Sequence, residues 1–401
     1  MISFSPMSAR TPEEAASKVR PERVLELDGL RAFAILPVIL HHCYPFDGLF
    51  GLSDFLGGAG FLGVDLFFVL SGYLITGILL NTVKRPHYYR NFIVRRTLRI
   101  FPLYYVCLAL FTISVWLFGG PLWAAMREWG NGWFVVYLGN VRAAWLNAYP
   151  PAFVFFPLWS LQVEEQFYLL YPLVVLLLSQ QNLRRLLIGC AVTAPLLRLY
   201  LLLFVADSSV ARFVLMPCRM DALALGGLVS ILARSPSALW PSRMQVRCGA
   251  VIMGAAALGV YSLSRHSEHS NTILHPLMSS VGYSLNALAF AFLLAMIVLW
   301  PSTSLAALLR WRPFVYTGEI AYGLYLLHVP AAWIARKLLM KVLGIDVPGH
   351  SALSVPITFL AGFLAARVSW RFLESPILTL KDRFTLPTRG FAPTSVDQRA
   401  G

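Results

Sequence analysis

Two residues that could act together lie in the first apolar segment, LDGLRAFAILPVILHHCYPF, where Arg31 and His42 are eleven positions apart. At 1.5 Å and 100° per residue, this spacing brings two helical side chains to one face, roughly 16 Å apart. An arginine can bind phosphate through its guanidinium group, and an imidazole can exchange a proton near neutral pH. His41 points about 100° away from that face. A structural alternative stays open, in which Arg31 anchors the helix at the membrane surface and His42 is a buried, hydrogen-bonded histidine.

Carboxylates interrupt two further apolar stretches. Asp65 lies in GFLGVDLFFVLSGYLIT, where it either caps a helix or orients His42 or an acceptor sugar. Glu164 and Glu165 lie in FPLWSLQVEEQFYLLYPL, which also contains Tyr168. Adjacent glutamates are costly to bury in a membrane, so they must face a cavity, pair with a base or lie near the interface. The three acidic residues are therefore candidate catalytic carboxylates, and Tyr168 is a candidate substrate contact.

An arginine cluster occupies FIVRRTLRIFPLYY, where Arg95, Arg96 and Arg99 are at helical spacing. Together with Arg31 and the nearby aromatic residues, they are candidates to hold the phosphates and the adenine of a nucleotide-type donor. The alternative is an anchor opposite anionic lipid, which is common in membrane proteins.

Two later segments carry the remaining candidates. Arg219 and Asp221 lie in MPCRMDALALGG, where an ion pair between them is the favoured interpretation and substrate binding is the alternative. His328, in IAYGLYLLHVP, is either structural or part of the same cavity. Arg198 and Arg219 are also candidate partners for the paired glutamates. We carry Arg219, Asp221 and His328 forward as candidate substrate-binding residues.

No metal site or disulfide framework is expected. Three histidines share the loop SRHSEHSNTILHP without a recognised ligand spacing; they are His266, His269 and His275. The five cysteines include no CxxC pair, and most fall within apolar segments as small core residues.

The composition is that of a membrane protein. The 401 residues are 58% hydrophobic and only 13% charged, and their mean hydropathy is +0.66. Apolar runs near 20 residues are long enough to cross a hydrocarbon core of roughly 30 Å. The net charge of +14 is attributed to membrane topology and not to nucleic-acid binding. The predicted fold is all-α, a bundle of about ten spans near 30–46, 59–81, 100–119, 157–178, 184–205, 211–233, 248–263, 276–300, 319–342 and 352–373.

Lysine and arginine fall mainly in alternate connections, which the positive-inside rule assigns to the cytoplasm. Both termini are therefore predicted to be cytoplasmic. A further span at 131–146 would invert all later connections, so this stretch is not counted. The predicted domains are a polar segment at 1–23, a membrane domain at 24–383 and a disordered tail at 384–401. The start of the chain has no apolar region of the kind that marks a cleavable signal peptide.

Taken together, these motifs resemble one family. The order DGLRAFAILPVILHH, GFLGVDLFFVLSGYLIT, RRTLRIFPLYY, LWSLQVEEQFYLLYP, CRMDALALGG, IAYGLYLLHVP and LESPI is similar to that of the acyltransferase 3 family of bacterial inner-membrane O-acyltransferases. The resemblance runs from about residue 24 to 383. The family hallmark, a basic residue, ten intervening positions and then a histidine, corresponds to Arg31 and His42 and selects His42 over His41. Gln162 stands where many relatives have serine.

The resemblance implies an enzyme that moves an acyl group, most often acetyl, from acetyl-CoA or another acyl-CoA to an extracytoplasmic hydroxyl. The implied acceptor is a sugar of a cell-surface or secreted glycan, a lipid-linked sugar or a small glycosylated molecule. Some members carry an extra extracytoplasmic domain, which this chain is expected to lack. In the implied mechanism His42 is a general base or is transiently acylated, and both routes stay open. The alternative function is a proton-coupled transporter or flippase of a glycan or lipid.

Overall fold

The structure, a computed structural model, describes residues 24–43, 59–265, 273–349 and 351–386. These ranges form helices and contain no β-strand, which confirms the all-α prediction. The predicted segment 1–23, most of the predicted tail at 384–401, and His266 and His269 lie outside the described residues.

The helices are numbered here in chain order. They are α1 Leu25–Cys43, α2 Gly63–Thr82, α3 Tyr88–Phe118, α4 Pro121–Trp129, α5 Gly132–Val135, α6 Gly139–Leu146, α7 Leu158–Leu177, α8 Gln180–Phe204, α9 Ser209–Val214, α10 Met216–Ala233, α11 Arg243–Arg265, α12 Tyr283–Leu299, α13 Ser304–Leu309, α14 Arg312–Glu319, α15 Ala321–Leu343, α16 Ser354–Ser369, α17 Ser375–Thr379 and α18 Lys381–Phe384. Tighter 3₁₀ turns or wider π turns occur at Gly60–Leu62, Phe153–Phe155, Ser237–Leu239, Met278–Gly282 and Trp370–Glu374.

Six stretches within the described ranges are long and apolar enough to cross a membrane by length and composition. They are Gly60–Thr82, Tyr88–Phe118, Gln180–Phe204, Ser209–Ala233, Arg243–Ser264 and Met278–Leu299. The other four predicted spans correspond to α1, α7, α15 and α16, which are helical but shorter or more polar. In α1 and α7 the polar residues include Arg31, Glu164 and Glu165. The count of ten spans and the cytoplasmic termini stay predictions.

The region between α3 and α7 contains no helix of span length, as expected for 131–146. It folds as three short helices, α4 to α6, followed by a 3₁₀ turn. The hydroxyl of Tyr104 on α3 donates a hydrogen bond of 2.8 Å to the carbonyl oxygen of Phe134, which ties this segment to the bundle.

Helix α1 is held against α13 and α14 by two close backbone approaches. A Cβ at Gly29 would lie 2.0 Å from the carbonyl oxygen of Leu309, and one at Gly318 would lie 1.8 Å from that of Asp28. Small residues at helix interfaces allow such contacts in membrane proteins. The Arg31 end of α1 is therefore fixed in position by the helices beside it.

Candidate active site

A cavity extends into the bundle between α1, α2, α3, α7, α14 and α15. It encloses about 870 Å³, counting its open side, and its lining includes aromatic rings from α2, α7 and α15. On α2 the lining runs from Val64 to Ile75, eleven positions, which correspond to roughly 16 Å along a helix. The cavity is therefore about as long as the predicted separation of Arg31 and His42.

Three arginines line this cavity. Arg31 comes from α1, and Arg96 and Arg99 come from α3. Arg31 is half-buried and donates a hydrogen bond to Asp28, while Arg96 lies over the ring of Tyr168 at 5.3 Å. Within the described residues, neither Arg96 nor Arg99 forms an ion pair. The cavity therefore carries guanidinium charge that a bound anion can neutralise.

The structure does not bring Arg95 into this group. Its side chain is exposed and does not line the cavity. The residues of α3 that line the cavity, Arg96, Arg99 and Ile100, lie within a sector of about 100° around the helix, and Arg95 lies about 40° outside that sector. The predicted cluster of four arginines is reduced to Arg31, Arg96 and Arg99.

The two adjacent glutamates face different surroundings. Glu164 lines the cavity and accepts a hydrogen bond from Ser71, whose hydroxyl oxygen is also 3.0 Å from that of Tyr168. Glu165 does not line the cavity, and its buried Oε1 has no hydrogen-bond partner among the described residues. Neither glutamate forms an ion pair with Arg198 or Arg219 there. Of the pair, Glu164 is the one placed to meet a molecule in the cavity.

A pair of hydroxyl groups connects the cavity to the His42 end of α1. Ser160 and Tyr325 both line the cavity, and their hydroxyl oxygens lie 2.7 Å apart. The Tyr325 hydroxyl also donates to the carbonyl oxygen of Pro157 at 2.9 Å. One turn further along α15 lies His328. The cavity lining on α15 therefore ends at Tyr325, about one helical turn before His328.

His42 and His328 are in direct contact. The Nδ1 atom of His42 lies 3.1 Å from Nε2 of His328 and 2.9 Å from the carbonyl oxygen of Val38. His42 is half-buried and packs edge-on against Phe153, whereas His328 is fully buried. His42 does not itself line the cavity. The neighbouring His41 lies on another face of α1, where its ring packs edge-on against Phe61 and against the ring of His42, each at 5.7 Å between ring centres.

Asp65 is held away from the histidines by its own partners. It accepts hydrogen bonds from Arg219 and, at 2.7 Å, from the Nδ2 of Asn286. The Arg219 guanidinium also lies 3.9 Å from the ring centre of Tyr283. No described contact joins Asp65 to His42. Asp65 is therefore not the cap of α2, which is Leu62, and it ties α2 to α10 and α12; its predicted role toward an acceptor sugar stays a prediction.

A second buried pair lies beside the first. Asp221 pairs with Arg198 at 2.9 Å and accepts a hydrogen bond of 2.6 Å from Ser284. The favoured prediction that Arg219 pairs with Asp221 is therefore wrong, because Asp221 pairs with Arg198 and Arg219 pairs with Asp65. The two side chains lie two positions apart on α10 and so point to different neighbouring helices. The sequence signal for this second pair is Arg198, an isolated arginine in an apolar segment.

The sequence matches one known protein family over most of its length. A family model described as an acyltransferase domain, that of acyltransferase 3, matches residues 24–371. The chain belongs to this acyltransferase family. The match confirms the family resemblance and covers every candidate residue named above. No solved structure matches the chain significantly.

Three similar curated proteins come from bacteria. The chain is 31% identical over 374 residues to YrhL of Bacillus subtilis (strain 168), a protein provisionally named as a peptidoglycan O-acetyltransferase. It is 30% identical over 385 residues to the O-acetyltransferase OatA of Staphylococcus aureus (strain NCTC 8325 / PS 47). It is 28% identical over 376 residues to the peptidoglycan O-acetyltransferase OatA of Listeria monocytogenes. These matches cover 88–89% of this chain but only 54–57% of each relative, so the chain spans about half their length.

Proposed function

We propose that this protein is a membrane O-acyltransferase that moves an acetyl group from acetyl-CoA to a hydroxyl of a cell-surface glycan. One observation supports this most directly. A single cavity carries three arginines and comes to within about one helical turn of the His42–His328 pair. The names of the relatives support acetyl as the acyl group and peptidoglycan as the first acceptor to test.

In this proposal the cavity holds the donor. Arg31, Arg96 and Arg99 bind the phosphate groups, because guanidinium groups form strong, charge-assisted hydrogen bonds to phosphate. The pantetheine arm lies along the aromatic and aliphatic lining of the cavity and directs the thioester toward Ser160 and Tyr325. Glu164, which accepts from Ser71, would contact the amide groups of that arm.

At the far end His42 acts as general base. It removes the proton from the acceptor hydroxyl while the hydroxyl oxygen attacks the thioester carbonyl. The C–S bond breaks, the new ester C–O bond forms, and the thiolate of CoA takes the proton from the histidine. Following the charge distribution of the sequence, the arginines face the cytoplasm and His42 faces the outer side of the cytoplasmic membrane.

The test is acetyl transfer by the purified chain in lipid nanodiscs, with acetyl-CoA as donor and peptidoglycan fragments as acceptor. Loss of a general base lowers a rate by about two to four orders of magnitude, so we expect that loss in His42→Ala. His41→Phe is the matched control and should stay close to the wild-type rate, because it keeps a ring against Phe61 and His42 and removes only the second imidazole. Full acetyl transfer by His42→Ala at equal protein abundance would contradict the proposal.

The same preparation separates direct transfer from an acyl-enzyme. Radiolabelled acetyl-CoA is added without acceptor, and label retained on the protein is measured after rapid denaturation. Direct transfer predicts no label above that of the His42→Ala variant. Label that is lost in this variant would instead identify an acetyl-histidine intermediate.

A further inference from the structure

The contact between His42 and His328 defines the protonation of both rings. His328 Nδ1 lies 3.0 Å from the carbonyl oxygen of Leu324 and 2.9 Å from that of Tyr325. A carbonyl oxygen can only accept, so Nδ1 of His328 carries the hydrogen. In the neutral ring the other nitrogen, Nε2, is then an acceptor.

The same reasoning applies to His42. Its Nδ1 atom faces the carbonyl oxygen of Val38 at 2.9 Å and Nε2 of His328 at 3.1 Å. Both neighbours are acceptors, so Nδ1 of His42 carries the hydrogen and donates to them. The unprotonated nitrogen of His42 is therefore Nε2, the atom that neither Val38 nor His328 contacts.

We propose that His328 is a positioning residue that, together with the carbonyl oxygen of Val38, holds His42 in the tautomer with a free Nε2 lone pair. This inference rests on the proposed function, since it matters only if His42 exchanges a proton with the acceptor. It assigns to a neutral histidine the orienting role that a carboxylate performs in Ser-His-Asp triads. When His42 gains a proton at Nε2, the ring still donates from Nδ1 to His328.

The surroundings of His328 are built to keep this geometry. The side chain is fully buried on α15, and α16 crosses directly behind it. A Cβ at Gly362 of α16 would lie 2.9 Å from both Cα and Cβ of His328. The absence of a side chain at Gly362 lets α16 press α15 close at this point, which restricts movement of the imidazole.

Two amide substitutions distinguish the contribution of Nε2 of His328 from that of Nδ1. In His328→Gln the side-chain oxygen reaches the place of Nε2 and can accept from His42. In His328→Asn the side-chain amide stays near the place of Nδ1, so it can bond the α15 carbonyls but cannot reach His42. His328→Ala removes both contacts. A purely structural role through α15 would be rescued by Asn, whereas a role through His42 would be rescued by Gln.

The measurement is kcat and KM for acetyl-CoA with peptidoglycan fragments as acceptor, using the full chain in nanodiscs. We expect kcat to fall about tenfold to a hundredfold in His328→Asn and in His328→Ala, and to stay within about threefold of wild type in His328→Gln. The KM for acetyl-CoA should not change, because the arginines that bind it are intact. Wild-type kcat in His328→Asn, or a His328→Gln variant as slow as His328→Ala, overturns the inference.

Nitrogen-15 spectra of the histidine rings give a second readout that does not depend on turnover. The His42 signals are identified by their loss in His42→Asn. We expect wild-type His42 to show a protonated Nδ1 and an unprotonated Nε2. In His328→Asn we expect a larger share of the other tautomer, because the Val38 carbonyl oxygen is then the one acceptor left for Nδ1. An unprotonated Nδ1 on wild-type His42 overturns the inference.

Failure of this inference differs from failure of the proposed function. If His42→Ala keeps full acetyl transfer, both fall, because there is no base to position. If His42→Ala is inactive and His328→Asn is as fast as wild type, the proposed function stands and the role of His328 is overturned.

Discussion

Two groups of arginines and carboxylates lie inside the helical bundle, and they differ in whether their charges neutralise one another. The paired cluster consists of Asp65, Arg198, Arg219 and Asp221. Each arginine in it meets one carboxylate, and every one of these four side chains is at most 2% exposed. The cluster is neutral overall and joins α2, α8, α10 and α12.

The cavity cluster consists of Arg31, Arg96, Arg99 and Glu164. Three cations here face one carboxylate, and Glu164 is bonded to Ser71 and not to an arginine. Only Arg31 has an anionic partner among the described residues, which is Asp28 on its own helix. This cluster keeps a positive charge that a phosphate-bearing ligand can neutralise.

The comparison shows that an arginine in an apolar segment has no single meaning. Removing one partner of a buried pair leaves an uncompensated charge, so the paired arginines contribute to the stability of the bundle. Arginines that line an open cavity without a fixed partner can meet a ligand instead. The residue types are the same in both clusters, and only the partners distinguish them.

The largest expected effect comes from breaking the paired cluster. Asp65→Ala leaves Arg219 buried without its anion, which should lower the free energy of unfolding by about 3–5 kcal/mol. The measurement is unfolding by SDS titration in mixed micelles, together with folded yield in membranes. Glu164→Gln also removes a carboxylate, but it should change stability by less than about 1 kcal/mol, because its neighbours carry no fixed ion pair to it.

A double variant tests whether charge imbalance is the cause. Asp65→Leu combined with Arg219→Met removes both charges, and such replacements of buried pairs are often neutral or stabilising. The ring of Tyr283 beside Arg219 offers an apolar surface to the methionine. We expect the double variant to regain most of the lost stability. A double variant as unstable as Asp65→Ala would show that shape and not charge dominates at this site.

An intermediate effect is expected in the cavity cluster. Arg96→Ala should weaken acetyl-CoA binding by about 1.5–3 kcal/mol, the usual value of a hydrogen bond to a charged group. That is roughly a tenfold to hundredfold rise in Kd, measured by equilibrium binding in nanodiscs. Arg95→Ala, one residue away and exposed, is the matched control and should bind normally. Equal losses in both variants would point to general surface charge instead of a donor site.

The smallest effect concerns salt. Raising the ionic strength from about 0.01 M to 0.15 M shortens the Debye length from about 30 Å to about 8 Å. Acetyl-CoA affinity should fall severalfold over that range, because Arg99 is exposed. Stability should change little, since the paired cluster is buried and screened weakly. A stability that falls in parallel with affinity would contradict the distinction between the two clusters.

Local sequence patterns predicted much of the fold. Apolar runs and their interruptions located the helices, and the charge bias kept 131–146 out of the list of spans. Sequence patterns also predicted that Arg31 and His42 share one helix face, because helical periodicity is a property of a single segment. The same arithmetic placed His41 on another face.

Partners between segments were harder to predict. Arg219 was expected to bind its near neighbour Asp221, and Arg95 was expected to join the phosphate group. Both expectations followed closeness in sequence. On a helix, side chains one or two positions apart point in different directions, so closeness in sequence does not give them a shared partner. Nothing in the sequence marks Ser71 or Asn286, because a lone polar residue in an apolar run does not identify the residue that it will contact.

The sequence by itself determined an all-helical membrane protein of the acyltransferase 3 family, with Arg31 and His42 on one face of its first helix. Tertiary structure decided which arginines are neutralised, which glutamate enters the cavity and which nitrogen of His42 is free. The physical reason is that periodicity acts along one helix, whereas charge pairing and tautomer depend on atoms from several helices. His328 illustrates this: it lies 286 positions from His42 in the sequence, yet its Nε2 atom is 3.1 Å from Nδ1 of His42 in the folded protein.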